Sequence, residues 1–312
     1  VIDPGINYEI LGISSAKTNG YAGGGLRYIL RNTVLNKKEA RCFGDNRNGR
    51  LGLENMYIGD GPGEMGAALP ALNLGTGLKA IDVKALSGGV CVLFDNQKVK
   101  CWGHSEVTGS GSGAFIGGGA TPLVGDALPY VNFGTNALLT KIDSHLNHTC
   151  GLLTDGRLKC FGNNSSNPMG YNAAFSTVFG DSAGEVGNSM QTLSFGTGRK
   201  VVDFATGYSH TCAILDNGKL KCIGYNATGQ LGIGNTATIG DSVLETGDVI
   251  AYTDIGTGRS VRTLSLGIEV SFAIRDDGTA IGWGSNDYYQ LGTRTSTIGD
   301  GAGEMGDVLP SI

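Results

Sequence analysis

Four stretches of this chain set two carboxylates four residues apart among glycines: Asp60 with Glu64, Asp181 with Glu185, Asp241 with Glu245 and Asp300 with Glu304. Hard carboxylate oxygens beside glycine turns are the ligands that Ca²⁺ takes. The same pattern arises when an aspartate caps a turn and the glutamate is simply solvated. A fifth aligned stretch, IGGGATPLVG from Ile116, carries neither acid. No metal is therefore expected to be essential, and no cofactor is implied. A retaining glycosidase needs one carboxyl pair about 5 Å apart, and a pair repeated four times does not single out such a centre.

Seven cysteines offer a second kind of chemistry. Six form pairs ten residues apart, Cys91 with Cys101, Cys150 with Cys160 and Cys212 with Cys222. None has the close spacing of a zinc site. Each pair brackets a turn such as Asp216-Asn217-Gly218, which suits a type I turn followed by a left-handed glycine. Counting back from that turn sets Ile214 opposite Leu220 and Cys212 opposite Cys222. Directly opposed cysteines at a non-hydrogen-bonded site lie within reach of a disulfide. Buried thiols packed as small hydrophobes are the alternative. Cys42 has Arg27 at its facing position, so it is a free thiol or is bonded to another chain. In the last such hairpin Phe272 faces Gly282, where a ring over a glycine fills the same space.

Of the four histidines, His148 and His210 hold one position, two residues before a cysteine, and recurrence argues for structure. Serine and histidine spacing is read as offering no nucleophile motif. Asn147, Asn163, Asn164 and Asn226 open N-glycosylation triplets. Asn164 and Asn226 each lie four residues after the second cysteine of a pair, in one loop of successive repeats. Glycans and disulfides together place the expectation outside the cytosol, extracellular or at the cell surface.

The elements that carry these groups form a repeat. A hydrophobic-glycine pair recurs as Phe43-Gly44, Trp102-Gly103, Phe161-Gly162, Ile223-Gly224 and Trp283-Gly284, 59 to 62 residues apart. Gly75-Thr76-Gly77, Gly134-Thr135-Asn136, Gly196-Thr197-Gly198 and Gly256-Thr257-Gly258 keep step. The chain reads as one all-β domain over residues 1–312, a β-propeller-like array of five roughly 60-residue repeats anchored near Cys42, Cys101, Cys160, Cys222 and Gly282. Glycine at 54 of 312 residues matches many tight turns. Only 16% of residues are charged and the net charge is −5, so a basic stripe for nucleic acid is missing. No apolar run approaches a membrane span.

The run His210-Thr211-Cys212, then Cys222, Ile223-Gly224 and Gly229-Gln230-Leu231-Gly232, resembles the repeat of the regulator-of-chromosome-condensation family. The resemblance covers nearly the whole chain. It implies a β-propeller, usually of seven blades, where five repeats are countable here. The acidic chain lacks the basic features of the family's nuclear exchange factor and is more similar to secreted members, which act by surface contact alone. The expected function is a non-catalytic protein-interaction or structural module, not an enzyme, with a protein or glycan surface as partner. A propeller hydrolase is the less favoured class. The ends are in repeat register: Leu309-Pro310-Ser311-Ile312 matches Leu69-Pro70-Ala71-Leu72, and Val1 onward supplies the continuation. This predicts Ile6–Ser14 as an added strand on the sheet of Gly267–Gly284, within a closed ring or, alternatively, between copies in a head-to-tail fibre.

Overall fold

The computed structural model describes residues 8–15, 26–32, 37–46, 49–53, 57–113, 116–117, 124–146, 148–171, 177–242, 244–293 and 297–312. Side chains are described from residue 40 onward. Five antiparallel sheets follow one another along the chain. The first pairs β1 (Tyr8–Ser15), β2 (Leu26–Asn32), β3 (Lys37–Asp45) and β4 (Tyr57–Ile58) in that order. The second has β5 (Ala80–Ala85), β6 (Gly89–Phe94) and β7 (Val99–Gly103). The third has β8 (Leu139–His145), β9 (His148–Leu153) and β10 (Leu158–Asn163), with β11 (Val178–Phe179) and β12 (Thr192–Leu193) both on β10. The fourth has β13 (Val201–Thr206), β14 (His210–Leu215), β15 (Leu220–Gly224) and β16 (Tyr252–Thr253). The fifth has β17 (Val261–Leu266), β18 (Val270–Arg275) and β19 (Ala280–Gly284).

The register is the one that the turns dictate. Ile214 pairs with Leu220 and Cys212 with Cys222. Phe272 faces Gly282, and Arg27 faces Cys42. In every repeat the glycine of the hydrophobic-glycine pair meets the first residue of the acidic loop: Gly44 with Ile58, Gly103 with Ile116, Gly162 with Phe179, Gly224 with Ile239 and Gly284 with Ile298. One expectation is corrected. The segment Tyr8–Ser15 pairs with Leu26–Asn32 in the first sheet. The strand-like addition to Gly267–Gly284 comes instead from Ser311, bridged to Ile281. Ala71 bridges Arg41 in the same way, so the match of Leu309–Ile312 to Leu69–Leu72 is a match of outer edges.

Residues divide between two compact units. The first holds Val1–Thr149, Phe161–Asn163 and Val178–Met190; the second holds Cys150–Cys160, Asn164–Thr177 and Gln191–Ile312. Each has its own apolar core. In the first, Ala40, Cys42 and Leu51 pack with Val83, Val92, Phe94 and Trp102. In the second, Cys212, Ile214, Leu220 and Cys222 of the fourth sheet pack with Ala273, Ile281 and Trp283 of the fifth. Among the described residues no helix is long and apolar enough to cross a membrane.

Two joints recur between neighbouring repeats. The aromatic or isoleucine side chain of one repeat lies on a loop glycine of the repeat before it. A Cβ at Gly109 would stand 2.9 Å from the Phe161 ring, and Gly109 has φ +58, so only glycine serves there without strain. Gly52 meets Trp102, Gly170 meets Ile223 and Gly232 meets Trp283 in the same manner. The second joint is polar and closes each Gly-Thr turn. Thr76 donates its amide (2.8 Å) and its hydroxyl (2.7 Å) to the carboxylate of Asp126. Asp248 receives the same pair from Thr197, and Asp307 from Thr257. At Thr135 the acceptor is Asn188, whose amide group also donates back to the threonine hydroxyl at 3.0 Å. The first repeat has Ala67 where its successors have Asp126, Asn188, Asp248 and Asp307.

Candidate interaction surface

The glutamates first considered for Ca²⁺ are occupied by their own loops. Glu64 Oε2 accepts the amides of Gly59 (2.8 Å) and Gly61 (3.0 Å). Glu185 accepts those of Gly180 and Ser182, and Glu304 those of Gly299 (3.0 Å) and Gly301 (2.8 Å). Glu245 accepts the Gly240 amide at 3.2 Å. A carboxylate that receives backbone N–H groups is stabilised as the anion. The Gly61 and Gly59 amides accordingly hold Glu64 below the ordinary glutamate value, and the Gly301 amide does so first for Glu304. Glu245 moves the other way, raised by burial and then by Asp241. Burial and the neighbouring Glu304 likewise raise Asp300. Among the described residues no three His, Cys, Asp or Glu side chains converge as a metal site.

The three cysteine pairs are disulfides, Cys91–Cys101, Cys150–Cys160 and Cys212–Cys222, with Cα separations of 4.2, 4.0 and 4.1 Å. Cys42 is buried and takes part in none of them. Several disulfides in one chain indicate an oxidising compartment.

Two glycosylation candidates prove to be internal braces. Asn164 is buried; its Nδ2 donates to Tyr171 O (2.7 Å) and its Oδ1 accepts from Met169 N (3.1 Å). Asn226 is buried too, bonded to Asn235 O (2.7 Å) and Leu231 N (2.9 Å). A side chain with both ends engaged inside a loop has no room for a sugar. Asn46 and Asn286 make the same pair of bonds, to Leu53 O and Leu51 N and to Thr293 O and Leu291 N, although neither opens a triplet. Asn163 is partly buried in β10, and Asn147 lies outside the described residues.

His210 and the one serine motif are likewise engaged inside the fold. His210 Nε2 lies 2.9 Å from Ser271 Oγ, whose hydroxyl donates to Gln230 O. The chain does contain a Gly-x-Ser-x-Gly run, Gly180-Asp181-Ser182-Ala183-Gly184, contrary to the expectation of no such motif. It sits in an acidic loop, not on a strand-to-helix turn. The Ser182 hydroxyl donates to Asp181 Oδ1 and its amide to Glu185 Oε2.

Buried cations were not foreseen. Lys100 Nζ donates to Gly125 O (2.6 Å) and lies 5.0 Å from the Tyr130 ring centre. Lys221 Nζ donates to Gly247 O (3.0 Å) and lies 4.7 Å from that of Tyr252. Arg41 donates to Gly66 O, and in the fifth repeat Arg275 takes over by donating to Gly306 O. Burial pulls Lys100 below the ordinary lysine value, with Asp126 opposing. Lys100 and Lys221 thus tie a third strand, and Arg275 a second strand, to the short turn that carries the threonine-binding acid, while Arg41 ties β3 to the matching turn of the first repeat.

One end of the second unit gathers exposed aromatic side chains. Tyr208, Tyr225, Ile268, Tyr288 and Tyr289 are all exposed there, Tyr288 at 88% and Tyr289 at 70%. Their loops are stitched together by backbone bonds: Tyr208 N to Gly267 O, Tyr225 N to Ser209 O and Ser285 N to Glu269 O. The described parts of these loops carry Glu269 and Asp287 as their only charges and are otherwise Tyr, Ser, Asn, Gly, Thr and Gln with a few apolar residues. Rigid tyrosines among small polar residues are the composition of protein-binding loops.

Comparison with known proteins agrees with this architecture. The regulator of chromosome condensation (RCC1) repeat matches residues 146–167 and 201–230. The X-linked retinitis pigmentosa GTPase regulator of the dog is 28% identical over 196 residues, 62% of this chain and 18% of that protein. Human WBSCR16 superposes with a TM-score of 0.66 at 16% identity, over 93% of this chain and 65% of that one. Yeast RCC1 (Prp20), solved with Kap60, gives 0.64 at 17% identity, over 90% and 57%. This chain thus spans less than a fifth of the curated relative and under two thirds of either solved chain. Two of its segments match the RCC1 repeat, and its five antiparallel sheets match RCC1-like propeller structures.

Proposed function

We propose that this chain is a non-catalytic extracellular interaction module, similar in that respect to secreted propellers, and that its partner is a protein surface. The observation that carries the reading is the tyrosine-rich end of the fourth and fifth sheets, where Tyr288 and Tyr289 stand out on loops with a bonded backbone. Interface cores are rich in tyrosine and poor in Lys, Glu and Asp, as this end is. The groups that catalysis would draw on, the loop glutamates, His210 and Ser182, are spent on internal bonds. Three disulfides support a place outside the cytosol. A GTPase-regulator role, part of the dog relative's name, gains nothing from these loops.

The test is cross-linked capture from the secreted proteins of the source, comparing the parent with Tyr288→Ser/Tyr289→Ser. A partner recovered with the parent and lost with the variant supports the reading. Equal recovery, or hydrolysis of a glycoside or ester panel by the purified chain, overturns it.

A further inference from the structure

Each Gly-Thr turn opens on a glycine, and in three of the four the residue three places on lays its side chain over it. A Cβ added at Gly75 would stand 3.3 Å from Leu78 Cδ1, at Gly196 3.3 Å from Arg199 Cγ and at Gly256 3.5 Å from Arg259 Cγ. Arg199 runs on to Asp216 (3.2 Å) and Arg259 to Asp277 (2.8 Å). At the turn that opens on Gly134 the corresponding residue is Ala137, whose methyl group is too short for either task. A cleft of about 440 Å³ lies there, lined among others by Lys98, Tyr130, Gly134, Asn136, Ala137 and Leu138. Small-molecule sites span roughly 300–1,000 Å³.

The lining residues include one cation, Lys98, and no carboxylate. Lys98 Nζ stands 5.2 Å from the Tyr130 ring centre. The Tyr130 oxygen accepts from Asn96 Nδ2 at 2.9 Å, which leaves the phenol hydrogen to be donated. Leu138, 38% exposed, and Ala137 supply an apolar wall. The fourth sheet repeats the lysine–tyrosine pair, with Lys219 Nζ 4.9 Å from the Tyr252 ring centre, but there Arg259 covers the glycine. The pair alone is a device of the fold; the short side chain at position 137 makes room beside it. We propose that this cleft binds a small carboxylate with an apolar body. The carboxylate meets the Lys98 ammonium and the Tyr130 hydroxyl, and the body lies against Leu138 and Ala137. Charge-assisted bonds to a cation and a hydroxyl are the recognition a carboxylate needs.

Calorimetry and saturation-transfer NMR on the 312-residue chain test this, with phenylacetate and hexanoate as probes and their carboxamides as controls. The acids are expected to bind about tenfold more tightly than the amides, the worth of one hydrogen bond to a charged group. Lys98→Gln should remove that difference. Ala137→Arg, which copies Arg199 and Arg259, should abolish binding with circular dichroism and disulfides unchanged. Leu138→Asp, at an exposed position, serves if that variant does not fold, and should weaken the acids more than the amides. Leu244→Arg, on an exposed acidic loop, should bind as the parent. A tripeptide ending in phenylalanine separates two sources of the carboxylate. Tighter binding than phenylacetate, lost on amidation, assigns it to a polypeptide C-terminus, and weaker binding assigns it to a free acid. The proposal is overturned if neither acid binds at millimolar concentration, if the amides bind as well, or if Lys98→Gln or a folded Ala137→Arg binds as the parent. The cleft belongs to the first unit and the tyrosine loops to the second, so capture through Tyr288 and Tyr289 is decided separately.

Discussion

The hairpins of the fourth and fifth sheets share one register and fill its centre by different means. Cys212 and Cys222 are fully buried and joined covalently. Phe272, in the first of these positions, lays its ring on Gly282, where an added Cβ would come within 2.9 Å of the ring. A short covalent bridge suits a face pressed against the next sheet. A ring over a glycine reaches further out and suits a face met by the side chain of Ile312, which lies beside the ring at Gly282. The repeat thus constrains the volume at this point and not the chemistry that supplies it.

Removing the covalent filling should have the largest effect. Cys212→Ala/Cys222→Ala is expected to lower stability by about 2–3 kcal/mol, the loop-closure entropy of a ten-residue separation. Urea unfolding followed by tryptophan fluorescence measures it. A loss as small as that of a surface substitution would break the contrast between the sheets. Phe272→Ala should cost less, about 1–2 kcal/mol, because the ring is only partly buried and a fully buried Phe→Ala costs roughly 3–5 kcal/mol.

Acid should act on what the two sheets have in common. Thr197 and Thr257 hold Asp248 and Asp307 below the ordinary aspartate value through hydroxyl and amide bonds. A carboxyl lowered in the folded state stabilises it above the unfolded value near pH 4, and the benefit fades as pH falls through the folded value. Melting temperature should therefore drop below about pH 4, and less so in Asp248→Asn/Asp307→Asn, which copies the Asn188 latch. At neutral pH that double variant should melt close to the parent, since a carboxamide can still bond the threonine amide and hydroxyl as Asn188 does. A pH profile identical to the parent's would remove the carboxylates from the account. The smallest effect is expected from metal. Millimolar Ca²⁺ and excess chelator should give melts within a few degrees of each other, since Glu245 and Glu304 are engaged by backbone amides. A large rise with Ca²⁺ would show a ligand selective for the folded state.

Hairpin register was legible in the sequence because turn chemistry and a two-residue period determine it, whereas the pairing of Tyr8–Ser15 was misassigned from the matching ends. Phe272 over Gly282 and the three cysteine pairs followed from counting back from one turn. The buried cations did not, because lysine is read as solvated unless something says otherwise. A signal was present: Arg41, Lys100, Lys159 and Lys221 all precede the second-cysteine position. The asparagines misled for the opposite reason. Asn164 and Asn226 fall in chance triplets, whereas Asn46 and Asn286 at the same repeat position do not. Recurrence without the triplet marks a loop brace. The tyrosine end left no periodic trace, since loops that differ between repeats are visible only once the fold gathers them.

The threonine–carboxylate latches, at Thr76, Thr197 and Thr257, each reach only 50 or 51 residues along the chain. Such wiring makes the array behave under tension like beads on a string. A repeat that comes away releases about 200 Å of contour for roughly sixty residues at ~3.4 Å each. A disulfide holds back the ten-residue separation it spans in the second, third and fourth repeats. The fifth repeat, with a ring in place of that bond, pays out its full length.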